Sequence, residues 1–415
     1  MSKLTKYKFS DLYEMSSGIS SSKQQAGHGS PFISFSTVFN NYFLPEELPD
    51  LMDTSLKEQE IFSVKKDDVF ITRTSETVDA LAMSCVAVKD YPKATFSGFV
   101  KRLRPKTTGI VYSKYIAFFL RSKYFRKVLD CNTIMTLRAS FNEDMFSFLY
   151  LYLPDYEEQV RIGDLLYKME MKIRTNNKIN DNLEQQAKLI YDYWFTQFDF
   201  PDENGKPYCS SGGKMVWNEQ LKRNIPENWN VVPLLKLVSW ESNSQPPKSE
   251  FVYEPKEGYV RFIQNRDYDS DTHITYIPRT KNLSIVDRFD ILIDKYGDAG
   301  AVRYGIEGAF NVALGKICVH NPNYREYIRS FLGSDGIYKF LHNSCMASTR
   351  ASLSEANLAI LNVVVPDEKI ILDYENFLQK IRVSILKNKD ETVELINLRD
   401  WLLPMLMNGQ ATIAD

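Results

Sequence analysis

The chain has 415 residues, a formal net charge of −2, 44% hydrophobic residues and 25% charged ones. That length suits two or three ordinary domains, and the composition is that of a folded globular protein rather than a disordered one. No stretch of about 18 consecutive apolar residues occurs and Met1-Ser2-Lys3-Leu4-Thr5-Lys6 lacks an apolar signal core, so neither a spanning helix nor a secretory leader is expected.

From the N-terminus, residues 1–153 read as a mixed, aromatic-rich domain with short β-like runs at Pro31–Phe35 and Asp68–Thr72. Between Lys101 and Arg138 ten basic residues stand against one acid, Asp130. A DNA-facing stripe would look like this, and so would a solvated helix face. Ser140-x-x-Glu143 reads as a capping box opening a short helix. After Pro154, Ile162, Leu166, Met169 and Ile173, then Leu183, Ala187, Ile190 and Trp194, recur in 4,3 spacing, with Asn176 and Asn180 filling the seam. Residues 154–198 therefore predict a helix of about 40 residues, roughly 60 Å long. Residues 199–224, rich in Pro, Gly and Ser, read as a connector. Residues 225–365 form a second mixed domain, with β-like runs at Val260–Ile263 and Asp290–Ile293 and a second capping box at Ser352-x-x-Glu355. Residues 366–410 predict a second long helix, its seam running through Tyr374, Leu378, Ile381, Ile385, Asn388, Thr392 and Leu395. Five cysteines with no CxxC pair and an odd total point to a reducing, cytoplasmic setting, and four dispersed histidines suggest no metal site.

The second half repeats the first at an offset of 212 residues. Arg138-Ala139-Ser140-Phe141 returns as Arg350-Ala351-Ser352-Leu353, and Leu153-Pro154-Asp155 as Val365-Pro366-Asp367. Over Tyr112–Leu183 and Tyr324–Leu395, 20 of the 72 aligned positions are identical. Solenoid periods are about 20–50 residues, so this is a duplicated domain. The fold class is α+β: two homologous mixed α/β domains, each followed by a long helix. A helix with one apolar stripe must bury it. The expected partner is the other copy, in an antiparallel intramolecular coiled coil about a pseudo-two-fold; the alternative is each helix packing on its own domain. Asn176 and Asn388 correspond, and polar seam residues fix register.

The architecture resembles the DNA specificity (S) subunit of type I restriction-modification enzymes, over essentially the whole chain. Pro154-x-x-x-Glu158-Gln159-x-x-Ile162 is similar to that family's opening of its conserved helical region. Phe200-Pro201-Asp202-Glu203-Asn204-Gly205-Lys206-Pro207-Tyr208, Ser211-Gly212-Gly213 and Ile225-Pro226-Glu227-Asn228-Trp229 are close to wording common in such subunits, and Trp229 through Leu237 is similar to their usual W-x-x-x-x-L opening. The second helix departs, with Ile370-Ile371 in place of Glu-Gln. The resemblance implies two target-recognition domains, each reading half of a split double-stranded DNA sequence across a fixed gap. It implies helical regions that hold the domains apart and dock two modification (methyltransferase) subunits and restriction (endonuclease/translocase) subunits. It implies no catalysis and no cofactor in this chain, with S-adenosylmethionine, ATP and Mg2+ belonging to the partners, and no membrane association. The helical pair would act as a ruler, since half-sites are spaced in whole helical turns of about 34–36 Å.

Base reading needs donors and acceptors on loops that enter a groove. The candidates are Ser22, Lys23 and Gln24; Lys248 at the corresponding place in the second domain; Arg73 and Lys295, each directly after a strand; and Gln264, Asn265 and Arg266. All are equally readable as ordinary solvated loops. Lys101, Arg102, Arg104 and Lys106 are candidates for phosphate contact, which sets affinity without reading sequence. Arg138 and Arg350, retained in both copies, are structural or phosphate-binding candidates.

Three rival functions are weaker. Asn321-Pro322-Asn323-Tyr324 is one residue from a pattern that clamps a methyl-accepting adenine, but no Gly-rich cofactor turn accompanies it, so the chain is not read as an adenine methyltransferase itself. Pro154-Asp155 with Glu170-Met171-Lys172 mimics a nuclease metal site, yet Glu170 and Lys172 fall on a predicted helix. A coiled-coil scaffold with no DNA role leaves the duplicated mixed domains unexplained.

Overall fold

The structure is a computed structural model, and the residues it describes are 4–20, 22–75, 81–132, 139–269, 273–346 and 352–413. The chain divides into two compact units, Met1–Asn176 with Asp390–Asp415, and Asn177–Lys389.

The strands of the first unit are β1 (Thr5–Lys8), β2 (Tyr13–Ser17), β3 (Ala26–Ile33), β4 (Asp50–Met52), β5 (Val69–Thr72), β6 (Thr74–Ser75), β7 (Ser84–Val86), β8 (Thr95–Phe96), β9 (Val100–Pro105), β10 (Ala139–Ser140) and β11 (Tyr150–Leu153). An antiparallel sheet runs β2-β9-β5-β7, and a second sheet runs β4-β3-β8 with β3 and β8 parallel. The strand β5, Val-Phe-Ile-Thr, is buried on both faces, as expected of a short β-branched run between two layers. β1 pairs with β11, tying the start of the chain to the residues before the first long helix. The main core of this unit is aromatic. Phe9 meets Phe125, Phe141 and Phe146 with ring centroids 6.3, 6.4 and 5.2 Å away.

The second unit has β12 (Met215–Asn218), β13 (Arg223–Pro226), β14 (Asn230–Pro233), β15 (Val238–Glu241), β16 (Tyr259–Ile263), β17 (Tyr276–Pro278), β18 (Ile285–Val286), β19 (Ile291–Asp294), β20 (Val302–Arg303), β21 (Gly308–Phe310), β22 (Leu314–Val319) and β23 (Asn362–Val365). Its sheets run β15-β22-β19-β20 and β17-β16-β21-β18, with β14 paired to β23. The first of these sheets has the order of β2-β9-β5-β7, and the second repeats β4-β3-β8, including the parallel pair, here β16 with β21, with β18 added at its edge. The duplication thus extends into the N-terminal halves of the domains.

The first long helix spans Tyr156–Tyr191 and continues as a π turn, Asp192–Thr196. Asp155 caps it, its Oδ1 accepting the Glu158 N–H at 2.8 Å. The Glu158-Gln159 pair is structural. Gln159 is fully buried; its Nε2 donates to the Ile110 and Pro154 carbonyls at 3.0 and 2.9 Å, and its Oε1 accepts the Tyr112 N–H at 3.0 Å. In the second copy buried Ile370 and Ile371 fill those positions with apolar packing. The second long helix spans Glu368–Met407.

Within each unit, segments of the two long helices lie antiparallel. In the first, Arg399 bonds Glu170 at 2.9 Å, Lys172 meets Glu391 at 3.1 Å, and Asn176 Nδ2 donates to Glu391 at 2.9 Å and Thr392 at 3.4 Å. Ile162, Leu166, Leu406 and Met407 share its core, with Met169 packed against it. In the second, Asn388 Nδ2 donates to Asn180 Oδ1 at 2.9 Å, Arg382 pairs with Glu184, and Trp194 lies 5.7 Å from Tyr374. Leu378, Ile381 and Ile385 are core there, Leu183 packs against them, and Ile173 is buried in the first unit. Leu395 is only half-buried.

Two local expectations shift. The short helices start two residues later than predicted, at Glu143 and Glu355. The caps are Asn142, whose Oδ1 accepts the Met145 N–H at 2.9 Å, and Ser354, whose N–H donates to Asn357 at 3.0 Å. The expected connector is a folded element. Phe198, Phe200 and Trp229 are buried, Phe200 stacks on Trp229 at 4.7 Å and Tyr208 at 4.7 Å, and β12 and β13 form a hairpin. Pro, Gly and Ser set its turns while its aromatics supply a core.

Candidate functional site

In the first unit one base-reading candidate, Arg73, meets the turn Ser97-Gly98-Phe99 between β8 and β9, and the segment that leads to Ser22, Lys23 and Gln24 crosses the same turn at Ile19. The Gly98 N–H donates to the Ile19 carbonyl at 2.7 Å, and the Ile19 N–H to Phe96 at 2.9 Å. Gly18 makes this crossing possible, because a Cβ there would lie 2.3 Å from the Phe96 and Ser97 carbonyl oxygens. From the other side the Arg73 N–H donates to the Phe99 carbonyl at 2.9 Å, and Arg73 Nη1 reaches the Gly98 carbonyl at 3.4 Å. Lys23–Gln25 forms one 3-10 turn, with Ser22 N–H and Oγ–H on Gln25 Oε1 at 3.0 and 3.1 Å. Ser22, Lys23, Gln24 and Arg73 are all exposed.

The second unit builds the same rim. Lys248–Glu250 forms the matching 3-10 turn, with Lys248 exposed. The Lys295 N–H donates to the Ala313 carbonyl at 2.8 Å, as Arg73 does to Phe99. The Asn311 N–H meets the Ile263 carbonyl at 3.0 Å, as Ser97 meets Ile33 at 3.0 Å. The Gln264 turn therefore abuts the turn that holds Lys295. Arg266 is exposed, but Gln264 and Asn265 are committed within the domain. Gln264 Nε2 donates to Thr275 at 3.1 Å and its N–H to Asp267 at 3.0 Å, while Asn265 hydrogen-bonds Asp294. Burial pushes the Asp294 carboxyl up, against Arg303 at 2.9 Å.

The expected phosphate stripe is not formed as such. Lys101, Arg102 and Arg104 lie on β9, and their head groups turn into the domain. Lys101 Nζ donates to Ser17 Oγ at 2.8 Å, Arg102 donates to the Ser63 carbonyl at 2.6 Å, and Arg104 grips the fully buried Asp68 with two bonds of 2.7 and 2.6 Å. Arg121, from the same basic run, bonds the carbonyls of Val38, Phe39, Asn41 and Ser84. Lys106 is exposed, with Nζ on the Ser10 carbonyl at 2.8 Å. Arg138 and Arg350 lie outside the described residues. A linear charge count cannot see which cations a sheet turns inwards. Conversely, Phe99 went unnoticed in the sequence. It is 66% exposed on the rim, and its only sequence signal is the Ser-Gly-Phe turn ahead of a basic strand.

The rival motifs fall into structural roles. Asn321 caps the turn Pro322–Tyr324, its Oδ1 accepting the Asn323 N–H at 3.1 Å, and Glu170 sits on the long helix between Arg399 and Arg174.

A family model, the type I restriction modification DNA specificity domain, matches residues 1–185 and 226–400, one match in each half. The chain belongs to the type I restriction-modification DNA specificity family. Among relatives of this specificity chain, the type I restriction enzyme MjaIX specificity subunit of Methanocaldococcus jannaschii is 23% identical over 351 residues, covering 80% of this chain and 76% of that protein. The HindI specificity subunit of Haemophilus influenzae is 23% identical over 446 residues, covering 91% and 94%. In fold, the chain is similar to the crystal structure of a type I restriction-modification S subunit from M. genitalium, with a TM-score of 0.64 at 14% identity over 98% and 96% of the two chains. Two DNA specificity domains, each carrying one rim, are thus the working parts of this specificity chain. Among the described residues no helix is long and apolar enough to cross a membrane.

Proposed function

We propose that this chain reads a two-part sequence in double-stranded DNA, one half per domain with a fixed gap, on behalf of a type I restriction-modification complex. In that role it positions two modification subunits, which methylate adenine with S-adenosylmethionine, and restriction subunits driven by ATP and Mg2+. The chain itself is non-catalytic, binds none of these cofactors and works in the cytoplasm. Residues 1–153 and 225–365 are the target-recognition domains, and 154–198 and 366–410 the helical regions that carry the partners.

The observation that carries this reading is one backbone frame built twice. Arg73 and Lys295 take the same hydrogen-bonded place after β5 and β19, and Lys23 and Lys248 open the same one-turn helix. A frame kept constant while side chains on it change, as from Arg73 to Lys295, suits two modules that read different half-sites. Base edges supply the sequence information and phosphates the affinity.

The test is the genome-wide adenine-methylation pattern of a host expressing the chain with its modification subunit, compared with a host lacking the chain. A split motif that vanishes with the chain is expected, and replacing residues 1–150 should alter one half only. An unchanged methylation pattern, together with salt-insensitive DNA binding, would defeat the reading, because phosphate contacts weaken steeply with salt.

A further inference from the structure

We propose that Phe99 is a base-contacting, specificity-determining residue of the first domain and that Ala313 is its counterpart in the second. This rests on the DNA-reading function proposed above.

The two positions share one frame. The Phe99 carbonyl accepts the Arg73 N–H at 2.9 Å and its own N–H donates to Ser97 Oγ at 3.2 Å. The Ala313 carbonyl accepts the Lys295 N–H at 2.8 Å and its N–H donates to Asn311 Oδ1 at 3.0 Å. Ser97 and Asn311 are in turn each anchored to a β-strand end, Ile33 and Ile263. The side chain at this place changes from a phenyl ring to a methyl group, and the one before it from Gly98 to Val312, which is 38% exposed. A turn fixed at both ends whose side chains vary is suited to discriminating one ligand from another.

The ring is also placed to act. Phe99 is 66% exposed, and the Gly98 and Phe99 carbonyls both accept from Arg73, which is itself exposed. Single exposed apolar residues are common and need no function by themselves. Phe148 and Ile360 show the contrast. They are 73% and 60% exposed and lie at equivalent places, so both copies keep a large apolar group there. Such a pair cannot tell two half-sites apart. At 99 and 313 the copies diverge, on a rim already supplied with cations. An apolar group among cations has two uses against DNA: contact with a thymine methyl, or a wedge between base steps. Both are apolar contacts to a base, and neither is available to Ala313 at the same reach. Because the backbone of the turn is already pinned, the ring loses little freedom on binding.

The experiment compares methylation motifs of the intact complex carrying the natural chain, F99A or A313F. F99A should leave one half of the motif untouched and relax one position of the other, with roughly a tenfold or greater fall in preference for the original base there. A313F should change only the opposite half. An F99A motif identical to the natural one, or both halves degrading together, overturns the proposal. Absence of any split motif with the natural chain is a different result, since it removes the DNA-reading function itself. If F99A abolishes methylation, purified complex is titrated against duplexes with single-base changes in that half-site. Discrimination lost at one position supports the proposal. An equal loss of affinity for every duplex, with discrimination intact, overturns it.

Discussion

Arg104 and Arg73 look alike in the sequence and do opposite work. Arg104 is only a quarter exposed and neutralises a fully buried Asp68, whereas Arg73 stands out on the rim. R104A strands that carboxylate, and breaking a buried pair from one side costs about 3–5 kcal/mol, so about 2–3 is expected here because one partner is partly hydrated. R104A should therefore lower the unfolding midpoint, while R73A should leave it within about 0.5 kcal/mol and weaken DNA binding instead. Thermal unfolding alongside DNA titration separates the two. Glu375 gives a pH-dependent counterpart. Burial pushes its carboxyl from 4.5 up to about 7, opposed by Arg325 and Arg329. It accepts the Glu326 N–H at 2.8 Å, so Gln can keep that bond. Between about pH 4.5 and 7 the unfolded chain holds fewer protons at this site than the folded one, so stability falls as pH rises through that window. The penalty is absent below it and fully developed above it, on the order of 3 kcal/mol. E375Q should accordingly stabilise the protein at pH 8 and change little at pH 4.5, which denaturant unfolding at both values would reveal.

At the scale of elements, the seam of the long helices carries the same polar contact twice. Asn176 donates to Thr392 in one unit and Asn388 to Asn180 in the other. N180A removes the oxygen that accepts from Asn388 and should cost about 1–3 kcal/mol, whereas N180L with N388L replaces both partners and should be neutral or stabilising. Loss of a single register in the double variant would appear as additional products when engineered cysteine pairs across the seam are cross-linked. These helices were the most legible part of the sequence, because a 4,3 apolar spacing marks a long helix with one apolar stripe, and long helices run over Tyr156–Tyr191 and Glu368–Met407. The domains were harder. β2-β9-β5-β7 and β15-β22-β19-β20 have the same order with few residues in common, since a sheet asks for alternation and burial, not for particular residues. The caps moved from Ser140 and Ser352 to Asn142 and Ser354: Ser140 belongs to β10, paired with Thr74, and the Ser352 hydroxyl donates to the Leu353 carbonyl at 3.4 Å. The loops containing Arg73 and Lys295 were read from their position after strands, and those containing Lys23 and Lys248 from their polar composition and matching position. The inward turn of Lys101, Arg102 and Arg104 was not, because it depends on contacts with Ser17, Ser63 and Asp68, which lie 36 to 84 residues away.

For the molecule as a whole, the decisive feature is that the first unit is discontinuous. It joins Met1–Asn176 to Asp390–Asp415, while Asn177–Lys389 is a single stretch. Leu406 and Met407 are buried in the same core as Phe9, Phe125 and Leu166, and the Ile413 N–H reaches Glu158 at 3.4 Å. Deleting residues 390–415 should therefore open the first unit and spare the second. Hydrogen exchange would show protection lost across β5 and β9 and retained across β19 and β22. Synthesis gives this arrangement an order. When Asn176 has left the ribosome, the first unit still lacks its closing segment, and the whole of the second unit must be made before that segment exists. At about 5–20 residues per second, the 213 residues of Asn177–Lys389 take some 10–40 seconds. For that interval the domain made first waits incomplete, its aromatic core without its last wall, while the domain made second can already fold. Nascent chains stalled at residue 389 should accordingly be cut by protease within residues 1–176, and chains released at full length should resist.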